Sequence, residues 1–262
     1  DSALEPMLLK TLDQMAAWAS RLYEGQPITS AIGFVPGDNT RSVLLPDIWK
    51  QDWSAVITNG HDTLLVANHN GYVVGHETLP TPAATPSFAP YRLAPLAEWA
   101  CNGRIVVVLN RTGEILLLRD KKLVFARRSG AWHFLTPEAV VTQMGRPNDP
   151  AIRRSVLESA IDVSFARSGG CIGVATSAHA QQWRQIVVNA DDHLQPAVSV
   201  KCRALARVIS NRRFQELDLR LRQELVAIDG AAVIDHNGVI LAVGAILKIP
   251  GGSTGGGRLA AA

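Results

Sequence analysis

Cysteine is scarce: Cys101, Cys171 and Cys202 are the three in 262 residues. They lie far apart, show no C-x-x-C spacing and are odd in number, which argues against a structural zinc site or a disulfide framework. Three buried, inert thiols in a reducing, cytoplasmic compartment are expected. No stretch approaches ~18 consecutive apolar residues, so no membrane span is expected. The opening DSALEPMLLKTLDQ carries acidic residues where a secretory signal would be basic. The chain does not begin with Met and is read as a fragment or a processed form. Charge is nearly balanced, at a net +3, and by itself calls for no polyanionic partner. The seven histidines are scattered, and no Ser/His/Asp set can be assembled from spacing. Asp191-Asp192-His193 offers metal-ligand types but has no matching second cluster, and it reads as an exposed polar turn.

The rest is ordinary for a globular chain: 47% hydrophobic and 19% charged residues, over a length that suits two domains or one large one. Leu4, Leu8, Leu12, Met15, Ala19 and Leu22 recur at spacings of three and four, which predicts a helix over 4–23, stopped by Gly25-Gln26-Pro27. From Ser42 to Leu135 the period changes. Runs such as SAVIT, TLLVA, GYVVG, RIVVVL, EILLL and LVFA are separated by Asn59-Gly60, Asn70-Gly71, Asn102-Gly103, Thr112-Gly113 and Ser129-Gly130. This predicts an antiparallel β-rich region of about eight short strands, interrupted by a Pro-rich loop over 79–86. NGHDTLLVANHNGYVVG and NGRIVVVLNRTGEILLL resemble each other, as a duplicated hairpin would or as the common grammar of hairpins would. Six tryptophans (Trp18, Trp49, Trp53, Trp99, Trp132 and Trp183) are expected to fill core and domain contacts.

Arg146-Pro147-Asn148-Asp149-Pro150 marks a boundary, giving an N-terminal helix plus β-rich domain over 1–145 and a second domain over 146–262. Asp149 is suited to cap a helix over 150–167 and Pro150 to open it, with Ser168-Gly169-Gly170 as its end. Residues 171–175 read as a buried strand and 185–188 as a weaker one. A helix follows over 198–225, or two helices broken near Asn211. Its arginines (Arg203, Arg207, Arg212, Arg213, Arg220 and Arg222) are interleaved with Glu216, Asp218 and Glu224, which reads as a solvated face, not a nucleic-acid surface. Alternating helix and strand from 150 onward argue for an α/β layer domain.

The most informative stretch is AIDGAAVIDHNGVILAVG, residues 227–244. It reads as strand, primed turn at Asn237-Gly238, strand. Asp229-Gly230-Ala231 sets a carboxylate where a sheet begins, followed by a residue with no side chain, so that a ligand can approach the backbone. Gly251-Gly252-Ser253-Thr254-Gly255-Gly256-Gly257-Arg258 is a run of small residues ending in a cation, as expected where amides crowd around phosphate. The plainer reading makes the first a turn and the second a flexible tail of a purely structural module.

In this order, over about 150–262, the motifs resemble the diadenylate cyclase domain. Ser168-Gly169-Gly170-Cys171-Ile172-Gly173-Val174 matches its Gly-led strand, and Asp229-Gly230-Ala231 its Asp-Gly-Ala. Gly255-Gly256-Gly257-Arg258-Leu259-Ala260-Ala261 stands where the family has Gly-Thr-Arg-His-Arg-Ala-Ala. The resemblance implies a three-layer, mixed-sheet nucleotide-binding domain that dimerises. It implies that Asp229 serves metal and catalysis if the domain is active. The nucleotide would be held by Ser168, Gly169, Asp229, Gly230, Ala231, Ser253, Thr254, Gly255, Gly256, Gly257 and Arg258. Mg or Mn is expected if a nucleoside triphosphate binds, and otherwise no cofactor. Gly257 and Leu259 replace cationic or hydrogen-bonding positions of the cyclase triplet. Phosphoryl transfer depends on neutralising charge on phosphate oxygens, where one aimed cation is worth about 10³–10⁵ in rate; backbone amides can still bind phosphate without it. The expectation is therefore a non-catalytic sensor of a nucleotide or cyclic dinucleotide, as in predicted relatives of the cyclases from bacterial signalling and defence. The alternative is an active diadenylate cyclase making cyclic di-AMP from two ATP. The family continues past its third motif with a helix and strands, so the chain is expected either to be truncated after Ala262 or to lack them.

Overall fold

A computed structural model describes residues 3–37, 40–82, 88–176 and 182–248. The fold is mixed α+β, with eight α-helices and sheets of two, three and seven strands among the described residues. The chain divides into two compact units, Asp1–Thr136 and Pro137–Ala262. The division precedes the 145/146 boundary read from sequence, because the helix Pro137–Gln143 packs on the helix that follows it.

The first unit opens with α1 (Leu4–Ala19) and a small hairpin, β1 (Leu22–Tyr23) and β2 (Gln26–Pro27). β3 (Ser30–Val35), α2 (Leu45–Ile48), β4 (Thr63–Asn68), β5 (Val73–Thr78) and α3 (Ala94–Trp99) follow. β6 (Ile105–Leu109), β7 (Ile115–Arg119), β8 (Lys122–Arg128) and β9 (Ala131–Phe134) complete it. The large sheet runs β5-β4-β3-β6-β7-β8-β9. It is antiparallel except for β3 and β4, which pair in parallel because the intervening segment crosses back before β4 begins. Alternation along the strands separates two faces. Ile32, Phe34, Leu65, Ala67, Val107 and Leu109 pack with Met7, Met15 and Trp18 of α1. On the opposite face Gly33 leaves room for Leu64 and Trp99: a Cβ there would lie 2.5 Å and 2.6 Å from their side chains.

Several expectations need correction. The first helix ends at Ala19, four residues early, because the chain turns at Ser20 into the small hairpin. β3, a central strand, precedes the region read as strands, and SAVIT is a 3₁₀ turn (Asp52–Ala55) and loop. Six strands, not about eight, occupy 42–135 among the described residues. Trp53 and Trp132 are about half exposed and so fill no core within their unit. Cys101 is only partly buried, while Cys171 and Cys202 are buried.

The second unit contains α4 (Pro137–Gln143), α5 (Pro150–Phe165), β10 (Ile172–Ala175), α6 (Trp183–Ile186), α7 (Val200–Ile209), α8 (Leu219–Ala227), β11 (Ala231–Asp235) and β12 (Ile240–Ala245). Asp149 caps α5 as expected, accepting from the Ala151 amide at 2.8 Å, with Pro150 in the first turn. The segment 185–188 is the end of α6 plus a single bridge, Val187 to Leu247, and not a strand. The long helix is two, broken where Ser210 and Asn211 take left-handed φ angles of 54° and 58°. β10 and β11 are parallel and β11 and β12 antiparallel, in the order β10-β11-β12. Ala232, Ile234, Ile240 and Val243 face a core shared with α5, α7 and α8. Ala231, Val233, Leu241 and Ala242 pack with Trp183 and Val187 on the other side.

The turn between β11 and β12 differs from the primed turn expected. Only Gly238 has a positive φ, 80°. The loop is closed by the Asp235 carboxylate, which accepts from the Asn237 and Val239 amides at 2.8 Å each.

Candidate functional site

Asp229 lies in the exposed bend that joins α8 to β11. Gly230 follows with φ 104°, pressed on the neighbouring strand: a Cβ there would lie 2.5 Å from the Gly244 carbonyl carbon and 2.8 Å from the Ala245 nitrogen. β11 and β12 are irregular here, Ala231 pairing with Ala245 and Val233 with Ala242. Glycine is thus demanded at 230 by the protein's own backbone. Ala231 is buried as the first residue of β11, with its methyl in the core beside Trp183.

Ser168 terminates α5. Its amide donates to the Val163 carbonyl at 3.2 Å, while Arg167 takes the left-handed conformation at φ 56°. This is the helix-ending motif in which glycine usually occupies the left-handed position. Gly169 is exposed. Gly170 packs against α8, where a Cβ would meet Val163 and Val226 side chains at 2.9 Å. The Ala232 amide donates to the Cys171 carbonyl at 2.9 Å, so β10 and β11 start side by side. Continuing their register, Ile172 opposite Ala232, places Gly170 opposite Gly230. The fold therefore brings 168–170 and 229–231 to one end of the small sheet, although 60 residues lie between Ser168 and Asp229. The amides of Gly169, Gly170 and Gly230 make no hydrogen bond among the described residues.

Lys201, which the sequence did not single out, joins this end. Its Nζ donates to Asp192 Oδ1 at 2.6 Å and to the Gly244 carbonyl at 3.2 Å. A Cβ on Gly244 would lie 3.1 Å both from that Nζ and from the Asp229 carbonyl oxygen, so the ammonium sits beside the Asp229 bend. No periodicity links Lys201 to Gly244; only the path of β12 brings them together. Asp191-Asp192-His193 is a 3₁₀ turn, Ala190–Asp192, plus its cap, and Asp192 is buried, against the expectation of an exposed turn. The Asp191 carbonyl accepts from Ser199 Oγ and Cys202 Sγ at 2.9 Å each, fastening α7. The segment thus serves to anchor a helix and seat Lys201.

No group of three or more His, Cys, Asp or Glu side chains among the described residues is placed to hold a metal ion. Asp229 alone offers one carboxylate, and the described residues supply no further ligand set. Ser253, Thr254, Gly255, Gly256, Gly257 and Arg258 lie outside the described residues. Most of the basic run is exposed as expected, but Arg222 is buried against α5, donating to Glu158 at 3.0 Å and lying over the Phe214 ring. Among the described residues no helix is long and apolar enough to cross a membrane. No family model matches the chain, and no curated protein matches it.

Proposed function

We propose that the second unit is a sensor that binds a nucleotide or cyclic dinucleotide at the Asp229 end of the small sheet without turning it over. The reading extends to a three-layer, diadenylate-cyclase-like arrangement that works as a dimer. One observation supports it: Gly169, Gly170 and Gly230, whose amides have no acceptor among the described residues, lie at the same end of the small sheet as Asp229, and Lys201 sits beside the Asp229 bend. Amides without an internal acceptor, next to a cation, suit phosphate oxygens. The Asp229 carboxylate suits a ribose hydroxyl or a base N–H as an acceptor. Gly257 and Leu259, where the cyclases carry charge or hydrogen-bonding groups, favour binding over transfer.

The test is a thermal-shift panel of nucleoside triphosphates and cyclic dinucleotides, with product analysis by mass spectrometry. A ligand that binds the folded state must raise the melting temperature. The expected result is a shift with at least one member of the panel, reduced in Lys201→Ala and Asp229→Asn, with the ligand recovered unchanged. Conversion of ATP to cyclic di-AMP, lost in Asp229→Asn, would replace the sensor by the active cyclase. No shift across the panel would leave neither standing.

A further inference from the structure

The first unit holds a cavity of about 290 Å³, just below the ~300 Å³ at which drug-sized ligand sites begin. Its lining includes Trp18, almost fully buried at the end of α1, together with Ile28 and Ala55. Leu22 and Tyr23 of the β1–β2 hairpin and Trp49 line it too. The hairpin turns tightly through Glu24 and Gly25, both at positive φ, and is tied to the body by Arg111 Nη2 donating to Gln26 Oε1 at 3.2 Å.

The polar groups of this cavity set it apart from a packing defect. Arg21 and Asp52 both line it, yet they do not pair with each other, and neither side chain has a partner among the described residues. Gln51 lines it too, with its amide side chain likewise unpartnered. Both charges are fixed at their roots. The Arg21 amide donates to the Trp18 carbonyl at 2.9 Å, and Asp52 is the first residue of its 3₁₀ turn. Trp49, only partly buried, adds its indole to the lining.

An aromatic lining with a cation and an anion that have no partner among the described residues is complementary to a particular chemistry. We propose that this cavity binds a small zwitterion with an apolar or aromatic body, an α-amino acid being the simplest member of the class. The carboxylate meets Arg21, the ammonium meets Asp52, and the side chain lies among Trp18, Tyr23 and Trp49. A purely anionic or purely cationic guest satisfies one charge and leaves its opposite beside it. This site belongs to the first unit and stands independently of the nucleotide site.

The test is calorimetric titration of the full chain with three probes of one ring and one chain length: L-phenylalanine, 3-phenylpropionate and 2-phenylethylamine. L-Phenylalanine is expected to bind roughly fivefold or more tightly than either single-charge probe, since charge-assisted hydrogen bonds at a half-open site are of that order. Arg21→Gln should weaken L-phenylalanine and 3-phenylpropionate and spare 2-phenylethylamine. Asp52→Asn should weaken L-phenylalanine and 2-phenylethylamine and spare 3-phenylpropionate. Both positions are exposed, so both variants should melt as the parent does. Absence of binding by all three probes at millimolar concentration, equal binding by all three, or affinity indifferent to both variants would overturn the proposal.

Discussion

At the scale of single residues, the two roles imagined for Gly230 separate. Its φ of 104° and the 2.5 Å clearance to the Gly244 backbone make the position intolerant of any side chain. Gly230→Ala is therefore expected to destabilise the protein by about 2–4 kcal/mol, combining backbone strain with a clash against main chain that cannot swing away. Urea unfolding measures this; a change below about 0.5 kcal/mol would mean that β12 yields. His193 gives a pH dependence with a defined sign. Burial, then the neighbouring Arg184, hold its imidazole below the ordinary value of 6.5, and Asp192 opposes them more weakly. Its ring meets Trp183 edge-on at 4.7 Å. The unfolded chain thus takes up the proton more readily than the folded one. Stability should fall as the pH drops below about 6.5 and be flat above it. Denaturation between pH 5 and 8 checks this, with His193→Phe expected to reduce the slope and His69, which burial also holds below its ordinary value, to retain the rest. Asp229 was legible because a carboxylate before glycine at a strand start is a local pattern. Lys201 was not, because its neighbours Asp192 and Gly244 come from segments that only the folded chain joins.

Among the elements, one turn recurs three times. In the β4–β5 hairpin, Asn68 Oδ1 accepts from the Asn70 and Tyr72 amides at 3.1 Å. Between β6 and β7, Asn110 Oδ1 accepts from the Thr112 and Glu114 amides at 3.0 and 2.9 Å. Asp235 does the same in the second unit. A shared turn chemistry, an amide or carboxylate three residues before a left-handed glycine, therefore accounts for the likeness of the two N-terminal hairpins without a duplication. Asn110→Ala should cost about 1–2 kcal/mol, since it frees two amides. Asn68→Ala should cost more, because Asn68 is fully buried and Asn110 only partly so; both side chains also donate through Nδ2, to the Thr40 carbonyl and to Glu114 Oε2, at 2.8 Å each. Thermal melts of the two variants rank them, and the reverse order would contradict this account. The turn pairs made β4 through β9 readable. β3 was not, because Ser30–Val35 is buried on both faces and shows no alternation to follow. SAVIT misled for the opposite reason: it is β-branched, yet Val56 and Ile57 are partly exposed and form no ladder.

For the molecule as a whole, the division at Thr136 and Pro137 leaves every strand of the seven-stranded sheet, and both helices that cover its faces, in the first unit. One core cluster, with Met7, Met15, Trp18, Phe34, Val107 and Leu109, draws all its described members from residues 4–117. A chain of 136 residues is also within the size at which one core suffices for independent folding. Residues 1–136 expressed alone should therefore fold, with a cooperative melt and a near-ultraviolet signal from Trp18, held at the end of α1 against the sheet. The fragment carries the whole of the aromatic cavity and none of the Asp229 site. L-Phenylalanine should then raise the melting temperature of the fragment as it does that of the full chain, while nucleotides should act on the full chain only. A fragment that melts without cooperativity would show that the seven-stranded sheet depends on residues beyond 136. A folded fragment stabilised by nucleotides would instead move the nucleotide site out of the second unit.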